Sequence, residues 1–278
     1  MAHASHSRPK LSALEKALRV IEVLADEPQP VRLADITDRV PLPRATTHRV
    51  LKQLEAYGLI VRNHGRDRFS VGPTCAQLAL KVVSSANQAA PLRAVLQDVV
   101  RDTGETCNLG VLDGFDLIYL QRIECQWPLR VHMQPGSRLP AYCTSGGKVL
   151  LAHLDPEVRT RLLRAHKLTR FTRKTITRVA ALEAELDRIR SQGYGVNDNE
   201  YTDGIVGIAV PVRAGAGRVL AALALHGPTA RFSIEVAKAQ LDTLHRAAER
   251  IAHAWGLDSR RGQSLHFESA TRSLPRSD

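Results

Sequence analysis

The stretch LPRATTHRVLKQLEAYGLI, residues 42–60, constrains the fold more than any other part of this 278-residue chain. Pro43 stands at the position favoured for the first residue of a helix, and Gly58 is placed to end that helix in a left-handed cap. The intervening apolar stripe consists of Thr47, Val50, Leu51 and Leu54. This helical spacing predicts an amphipathic helix whose outer face carries cations and hydroxyl groups.

Two further helices and a hairpin are predicted around this helix. Ser12 and Glu15 have the spacing of a capping box, and a helix follows until Pro28 and Pro30 end it. Its predicted inner stripe is Leu14, Leu18, Ile21 and Leu24. VRLADITDRV predicts a short second helix with Leu33, Ile36 and Val40 on one face. The alternating segments GLIVRN and RFSV, joined through HGRD, predict a β-hairpin. This order predicts a winged helix-turn-helix domain over residues 11–72.

A domain of this kind inserts its third helix into the major groove of DNA. Arg44, Thr46 and Arg49 lie off the inner stripe, and arginine pairs bidentately with guanine. The hairpin cations suit phosphates or a minor groove. The predicted DNA-binding residues are Arg44, Thr46, Thr47, His48, Arg49, Arg62, Arg66 and Arg68. A three-helix interaction module with a charged surface is the alternative.

The charge distribution favours a polyanionic partner. Net charge is +11, and residues 40–72 hold six Lys/Arg against two Asp/Glu, whereas the two signs cancel over residues 1–39. Such clustering is the electrostatic footprint of a nucleic-acid-binding protein. No apolar run approaches the roughly 18 residues of a membrane span, and the first residues lack a signal peptide. We therefore expect a soluble, cytoplasmic protein that does not enter membranes.

The length suits two domains joined by a linker. Residues 73–90 predict an Ala-rich linker helix closed by Pro91, and residues 91–258 predict a second domain. Residues 1–10 and 259–278 are expected to be disordered tails. The four cysteines include no CxxC pair, so we expect neither a metal ion nor a disulfide framework, and no other cofactor is indicated.

The second domain alternates helices with hairpins. TCNLGVLDGFDLIYLQRI predicts two strands around an Asp113-Gly114 turn, and GIVGIAVPV with RVLAALALH predicts another hairpin. ALEAELDRIRSQGYG predicts a helix that ends in glycines, and SIEVAKAQLDTLHRAAERIAHAW a last helix. Hairpins with helices between them indicate an α+β fold on an antiparallel sheet.

TSGGKVLLAHL, which runs from a glycine-rich turn into a helix, invites an enzyme hypothesis. A phosphate-binding P-loop would need glycine at Tyr142 and Ser or Thr at Val149. No nucleophile elbow or zinc-protease motif occurs, and Cys143 is more typical of a structural residue than of a catalytic one. The main-chain N–H groups of Ser145, Gly146 and Gly147 instead predict a carboxylate site at a helix N-terminus. A helix cap without any ligand is the alternative.

Seven motifs in order resemble the IclR family of bacterial transcriptional regulators over roughly residues 11–256. They are ALEKALRVIEVLA, LPRATTHRVLKQLEAYGLI, TGETCNLGVLDG, PGSRLPAYCTSGGKVLLA, TRKTIT, QGYGVNDNE and GIVGIAVPV. The resemblance implies a DNA-binding domain, a linker helix and a GAF-like effector-binding domain. It also implies homodimers or homotetramers on double-stranded, palindrome-like operators, with a small organic acid as effector.

The same resemblance implies an effector pocket by residue-by-residue correspondence. Its predicted residues are Pro128, Val131, Leu139, Ser145, Gly146, Asn197, Glu200, Ile205 and Gly207. Relatives that sense two- or three-carbon acids carry Asp and Cys where this chain has Asn197 and Gly207. The stretch GSRLPAYCTS is more similar to regulators of aromatic-acid catabolism. We therefore expect an aromatic or otherwise bulky organic acid.

The sequence thus predicts an effector-responsive transcriptional regulator of a catabolic operon rather than an enzyme. Two alternatives remain open at this point: a constitutive DNA binder whose second domain serves only assembly, and a small-molecule enzyme with an auxiliary helical domain. Whether the protein represses or activates, and which operator it reads, does not follow from the sequence.

Overall fold

A computed structural model describes residues 11–27, 29–40, 42–63, 67–83, 86–130, 133–214 and 217–256. The two predicted tails, residues 1–10 and 259–278, lie outside the described residues. The chain divides between Ala90 and Pro91 into two compact units, and the segment Leu154–Ala165 groups with the first of them. No helix in the described ranges is both long enough and apolar enough to cross a bilayer.

The first unit is a winged helix-turn-helix, as the sequence predicted. Its elements are α1 (Ala13–Ala25), β1 (Val31–Arg32), α2 (Leu33–Arg39), α3 (Arg44–Ala56), β2 (Ile60–Asn63), β3 (Arg68–Val71) and α4 (Pro73–Val83). The three strands form an antiparallel sheet in the order β1-β3-β2. Val31 and Arg32 were predicted to begin the second helix, but they pair with β3 instead. The third strand of the wing therefore comes from the segment before α2.

Helix α1 confirms the predicted capping box and corrects the predicted inner stripe. The Ser12 hydroxyl accepts from the Glu15 N–H at 3.2 Å, and the Glu15 carboxylate accepts from the Ser12 N–H at 2.6 Å. Leu14 is 68% exposed and Leu18 41% exposed. The buried stripe runs through Val20 and Leu24. Leu24 and Ile21 of the predicted stripe pack in the core, whereas Leu14 and Leu18 do not, because the helix has more apolar residues than one face can bury.

The end of α3 is fixed by a glycine cap that joins it to α4. Gly58 has φ +67°, and the Leu59 and Gly58 amides donate to the Leu54 and Glu55 carbonyls, which is a Schellman motif. The Gly72 amide donates to the Leu59 carbonyl, and the Thr74 amide to the Gly58 carbonyl. A Cβ on Gly72 would lie 2.3 Å from the Gly58 carbonyl oxygen. Only glycine allows this close approach of the two segments.

The prolines near α3 and α5 correct two sequence predictions. Pro43 is the N-cap of α3, with ψ 141°, rather than its first helical residue. Pro91 was expected to close the linker helix, but it lies inside α5 (Ala86–Thr103). Proline removes one backbone hydrogen bond from a helix. Buried side chains follow it on one face of α5, so tertiary packing outweighs that loss. They are Leu92, Val95, Leu96 and Val99.

The second unit is built on a six-stranded antiparallel sheet in the order β6-β5-β4-β9-β8-β7. Its strands are β4 (Thr106–Asp113), β5 (Asp116–Ile123), β6 (Arg138–Pro140), β7 (Gly195–Asp198), β8 (Ile205–Arg213) and β9 (Val219–Pro228). Gly114 has φ +61° in the turn between β4 and β5, so the predicted Asp113-Gly114 hairpin is confirmed. The predicted α+β class with an antiparallel sheet is confirmed as well.

The second unit also contains the helices α6 (Ser145–Ala152), α8 (Val179–Gln192), α9 (Ile234–Ala239) and α10 (Leu241–Ala254). Helix α7 (Pro156–Ala165) lies in the segment that groups with the first unit. Helix α6 packs against β4, β8 and β9, and α10 packs against β8 and β9. The predicted last helix is in fact two helices that meet at Gln240. Helix α8 ends at Gly193, whose φ of +83° confirms the predicted glycine terminus.

Candidate functional site

Helix α3 presents a cationic outer face and buries the opposite one. The side chains of Arg44, His48 and Arg49 are exposed, and Thr46 is half-buried. Thr47 was predicted to contact DNA, but it is 0% exposed and its hydroxyl donates to the Pro43 carbonyl at 3.4 Å. The correction follows from its place on the inner stripe of the helix. The surface available to a DNA groove therefore begins with Arg44 and continues through His48 and Arg49.

The hairpin cations are not equivalent to one another. The Arg62 guanidinium bonds to the Asp67 carboxylate at 2.5 Å and lies 5.9 Å from the centre of the Phe69 ring. Arg68 donates to the Pro30 carbonyl at 3.0 Å, which ties β3 to the segment before β1. Arg66 lies outside the described residues. Arg68 is therefore a structural residue as well as a positive charge, and Arg62 remains the more accessible wing cation.

A pocket in the second unit lies where the N-terminus of α6 meets the sheet. Six predicted effector residues line it: Leu139, Ser145, Gly146, Asn197, Ile205 and Gly207. Sequence reasoning missed the other lining residues: Leu117, Tyr119, Met133, Thr144, Tyr201, Thr202, Ala224 and His226. The cavity measures about 50 Å³, well below the hundreds of cubic ångströms typical of sites for drug-sized ligands. It suits a small molecule, and a benzoate-sized one requires it to widen.

Two of the other predicted effector residues, Pro128 and Glu200, are not among the described residues that line this pocket. Pro128 borders a separate surface groove with Trp127 and Gln97. Glu200 is buried behind the lining, in an ion pair with Lys148. Val131 lies outside the described residues. Correspondence of sequence motifs located the segments that form the pocket, but it did not determine which side chains face the cavity.

At the N-terminus of α6, two main-chain donors that border the pocket have no acceptor among the described residues. The Gly147 amide, predicted as a third donor, instead donates to the Thr144 hydroxyl at 3.3 Å, a side-chain N-cap. A Cβ on Gly147 would lie 2.3 Å from the Ala141 carbonyl oxygen, which explains the glycine there. The first amides of a helix have no intrahelical acceptor. The Ser145 and Gly146 amides are thus left to meet an oxygen ligand at the positive end of the helix dipole.

A buried ion pair fixes the segment that borders this pocket. The side chain of Lys148 is 1% exposed and pairs with Glu200, and its Nζ lies 3.6 Å from a Glu185 oxygen. Burial raises the pKa of the Glu200 carboxyl, and the nearby Lys148 ammonium opposes that rise. The Glu200 amide donates to Asn197 Oδ1 at 2.8 Å, and Thr175 donates to the Glu200 carbonyl at 2.7 Å. Glu200 therefore has a structural role beside the pocket.

Gly207 leaves a narrow gap rather than a large one. A Cβ added there would lie 3.0 Å from Ser145 Oγ and 3.4 Å from the Leu225 carbonyl oxygen. The strand register places Gly207 opposite Asn197 on β7 and opposite His226 on β9. The two predicted departures, Asn197 and Gly207, are therefore neighbours across the sheet. A larger residue at 207 would press on the serine that begins α6.

Half of the missed lining residues come from strands β5 and β9. Tyr119 and His226 lie in buried runs whose alternation of faces becomes visible only once the strand register is known. Both faces of these strands are buried, so nearly every residue in them is shielded from solvent. Alternation of polar and apolar residues therefore cannot indicate which side chains face the pocket. The polar exceptions, Tyr119 and His226, were the one available signal.

Comparison with known proteins settles the family. The family described as Bacterial transcriptional regulator IclR C-terminal matches residues 80–253. The IclR helix-turn-helix domain matches residues 13–64. The chain belongs to the IclR family. It is thus a DNA-binding transcriptional regulator, which confirms the resemblance inferred from the seven motifs.

The relatives of this IclR-family regulator are named as regulators rather than enzymes, as the sequence predicted. It is 41% identical over 240 residues to the Probable transcriptional regulator SauR of Cupriavidus necator, covering 86% of this chain and 95% of that protein. It is 33% identical to the HTH-type transcriptional regulator BhcR of Paracoccus denitrificans, covering 87% and 86%. These matches extend through both units.

Solved structures of the family share both the DNA-binding and the sheet-based units. The Thermotoga maritima IclR structure matches with a TM-score of 0.59 at 26% identity, covering 87% of this chain and 98% of that one. An IclR homologue from Microbacterium hydrocarbonoxydans, solved with 4-hydroxybenzoate, matches with a TM-score of 0.55 at 29% identity, covering 89% and 100%. A neighbour in the family therefore binds a small aromatic acid.

Proposed function

We propose that this regulator senses a small organic acid in the pocket beneath α6 and controls a catabolic operon in response. The acid's carboxylate would accept from the main-chain amides of Ser145 and Gly146, and its body would contact Leu139 and Ile205. Binding changes the affinity for DNA because the two conformations of the assembly bind the acid unequally. A regulator of this kind acts in the cytoplasm, where the operator lies.

The pair of unused amides at the start of α6 is the observation that carries this proposal. Both residues line the pocket, and the third amide of the helix is already occupied by Thr144. None of the described residues that line the cavity carries a charged side chain. A helix N-terminus binds an anion through its main chain and its dipole without a cationic side chain. The 4-hydroxybenzoate complex of a neighbour supports the same class of ligand.

The size of the acid follows from the gap at Gly207 and from the small cavity. We propose an acid with a body larger than two carbons, aromatic acids included, for which the pocket opens. Gly207→Cys would fill the gap beside Ser145, and overpacking of this kind typically costs about 1–3 kcal/mol. A bulky acid should therefore bind Gly207→Cys more weakly than it binds the natural protein.

We also propose that the working form is a homodimer or homotetramer. One recognition helix reads only a few base pairs, and a symmetric pair spaced by about one turn of DNA is the usual solution. Leu14 and Leu18 on α1 and Leu78 on α4 are exposed apolar residues of the DNA-binding unit. A second copy of the chain would cover them. Light scattering at micromolar concentration should give at least a dimer, and a monomer with and without DNA would contradict this.

Isothermal titration calorimetry of a panel of acids tests the sensing function. Ser145→Pro removes one amide donor, and proline is well tolerated at the first helical position. We expect this variant to keep its fold and its DNA affinity but to lose acid binding. Ser145→Ala keeps the amide and removes only the hydroxyl, so it should lose much less.

Two outcomes would count against sensing at this site. Equal acid affinity for Ser145→Pro and the natural protein would show that the α6 amides do not hold the ligand. Acid binding that leaves operator affinity unchanged would instead favour a constitutive DNA binder whose second unit serves assembly.

A further inference from the structure

A strongly cationic stretch of the chain lies between α7 and α8. Residues 158–182 hold eight Lys/Arg and no Asp/Glu, whereas residues 40–72 hold six Lys/Arg against two Asp/Glu. The part of this stretch that belongs to the second unit and precedes α8 is residues 166–178, which we call the cationic segment. Its exposed cations are Lys167, Arg170, Arg173, Lys174 and Arg178. Like charges that are close together repel one another, so an anion nearby stabilises them.

The middle of the cationic segment is a turn that its own threonines hold in shape. The Thr175 hydroxyl accepts from the Phe171 and Thr172 amides at 3.0 and 2.8 Å. The Lys174 amide donates to the Thr172 hydroxyl at 3.1 Å. Both threonines are buried, whereas Arg173 and Lys174 between them are exposed. The turn therefore directs two consecutive cations toward solvent from a fixed backbone.

The same two threonines fasten the turn to the segment that follows β7. The Thr172 hydroxyl donates to the Asn199 carbonyl at 2.7 Å, and the Thr175 hydroxyl donates to the Glu200 carbonyl. A surface whose backbone is fixed before binding loses less conformational entropy when a partner binds to it. The turn is therefore organised in advance for contact with a partner.

The five cations differ in how far their charges are already neutralised. Lys174 pairs with the Asp198 carboxylate at 2.7 Å. Arg170 donates to the Arg173 carbonyl at 3.2 Å, so it supports the turn. Three exposed cations have no carboxylate partner among the residues that the structure describes: Lys167, Arg173 and Arg178. Their charges remain available to an external anion.

The start of α8 adds to the positive potential of the cationic segment. Arg178 is the N-cap of this helix, its side chain makes no capping hydrogen bond, and the first turn contains no acidic residue. The N-terminus of a helix carries a partial positive charge and is normally complemented by Asp or Glu. A cation at this position is unfavourable in isolation, so an anion bound beside it would stabilise both Arg178 and the helix end.

We propose that the cationic segment is a second DNA contact, which binds backbone phosphates of the duplex whose bases α3 reads. Cations that are spread along an exposed segment suit an extended polyanion, because separate phosphates can meet separate side chains. DNA is the polyanion that the helix-turn-helix family of this chain binds. Contacts to phosphates supply affinity without reading sequence. The second contact does not depend on acid sensing.

The salt dependence of DNA binding tests this contact with the full chain. The triple variant Lys167→Gln/Arg173→Gln/Arg178→Gln removes the three unpaired charges and leaves Arg170 and Lys174 in place. On a mixed-sequence duplex of about 60 base pairs, the slope of log affinity against log salt concentration should become shallower by about 2–3. Affinity at low salt should fall by at least about 10-fold. Because all three side chains are exposed, the melting temperature should be unchanged.

A second triple variant controls for net charge. Arg93→Gln/Lys238→Gln/Arg246→Gln removes three exposed cations from α5, α9 and α10 of the same unit. It should keep the salt dependence of the natural protein. An unchanged slope in the first variant would overturn the proposal and would favour an acidic protein as the partner of the cationic segment. Equal losses in both variants would reduce the effect to overall charge and would overturn it as well.

Acetylation of the natural protein gives a test that needs no variant. Lys167 should react more slowly with acetic anhydride when the duplex is bound, because a phosphate covers its amine. Lys238 on α9 should keep its rate. Mass spectrometry of the digested protein measures both rates, and a Lys167 rate that is the same with and without DNA would overturn the proposal.

Discussion

The two units place their functional groups in opposite ways. The DNA-binding unit displays Arg44, His48 and Arg49 on the outside of a single helix, whereas the second unit encloses its polar groups between a sheet and a helix. Exposed cations act through a polyanion's field and tolerate imprecise geometry. Enclosed donors act only at fixed distances and need every buried neighbour satisfied. Changes to the buried polar groups of the second unit should therefore cost stability first, and changes to the exposed cations of α3 should cost DNA affinity alone.

The largest effect expected from this contrast concerns the buried lysine beside the pocket. Lys148→Met leaves the Glu200 carboxylate without its cation, and breaking a buried pair from one side typically costs about 3–5 kcal/mol. Urea unfolding should show the loss. The double variant Lys148→Met/Glu200→Leu removes both charges and should recover much of it. A single variant as stable as the natural protein would contradict the contrast.

The pH dependence of stability provides the next effect. His226 titrates near 3 in the folded chain against an ordinary value of 6.5. Below pH 6.5 the unfolded chain takes up a proton that the folded chain does not, so stability falls as the pH falls toward 3. The slope from one such group is at most about 1.4 kcal/mol per pH unit. In urea unfolding between pH 7 and pH 5, His226→Gln should lose stability less steeply than the natural protein. Parallel slopes would contradict the prediction.

Substitution of an exposed arginine on α3 should have an effect of similar size, but on DNA binding and not on stability. Arg44→Ala should cost about 1–3 kcal/mol of binding free energy at one operator position, with unchanged thermal stability. Fluorescence titration on the operator and on a scrambled duplex separates specific from general binding. Arg62→Ala should weaken binding similarly on both duplexes and reduce the salt dependence. Thr47→Val changes a buried side chain of the same helix and should leave operator readout intact. Operator affinity unaffected by Arg44→Ala would mean that α3 is not placed in the groove.

The smallest effect tests the corrected face of α1. Leu14→Ala removes a side chain that is 68% exposed and should change stability by no more than about 0.5 kcal/mol. Leu24→Ala, on the buried face of the same helix, should cost about 2–5 kcal/mol. Thermal unfolding at low protein concentration compares the two. A large cost at Leu14 that grows with protein concentration would show a second copy packed on this face.

The success of the sequence-based predictions also differed between the DNA-binding unit and the second unit. The helices and the hairpin of the DNA-binding unit were predicted because caps and turns such as Ser12 with Glu15, and Gly58, are local signals. The inner face of α1 was not, because that helix carries apolar residues on more than one face. Pro91 was misread because a local preference ignores the buried residues that follow it in α5.

In the sensing unit, sequence motifs located α6 and the segment around Asn197 but missed His226 and Tyr119. These two reach the pocket through the pairing of β9 with β8 and of β5 with β4. The faces of these buried strands are set by the whole sheet, in which the pairing of β4 with β9 joins residues more than a hundred positions apart, such as Cys107 and Leu225, and no local pattern encodes that pairing. Glu200 was predicted as a pocket residue by correspondence with relatives, and its actual partner, Lys148, is 52 positions away.

The glycine joint between α3 and α4 has a mechanical consequence. Gly58 and Gly72 let the two helices meet backbone to backbone, with the Thr74 and Gly72 amides bonded across the joint. Because no side chains lie between the two backbones at this contact, α3 and α4 can move very little relative to each other. Helix α4 has 11 residues and is about 16 Å long. It is therefore a rigid element attached to α3. A rotation of α4 would therefore be transmitted to α3 through these backbone contacts.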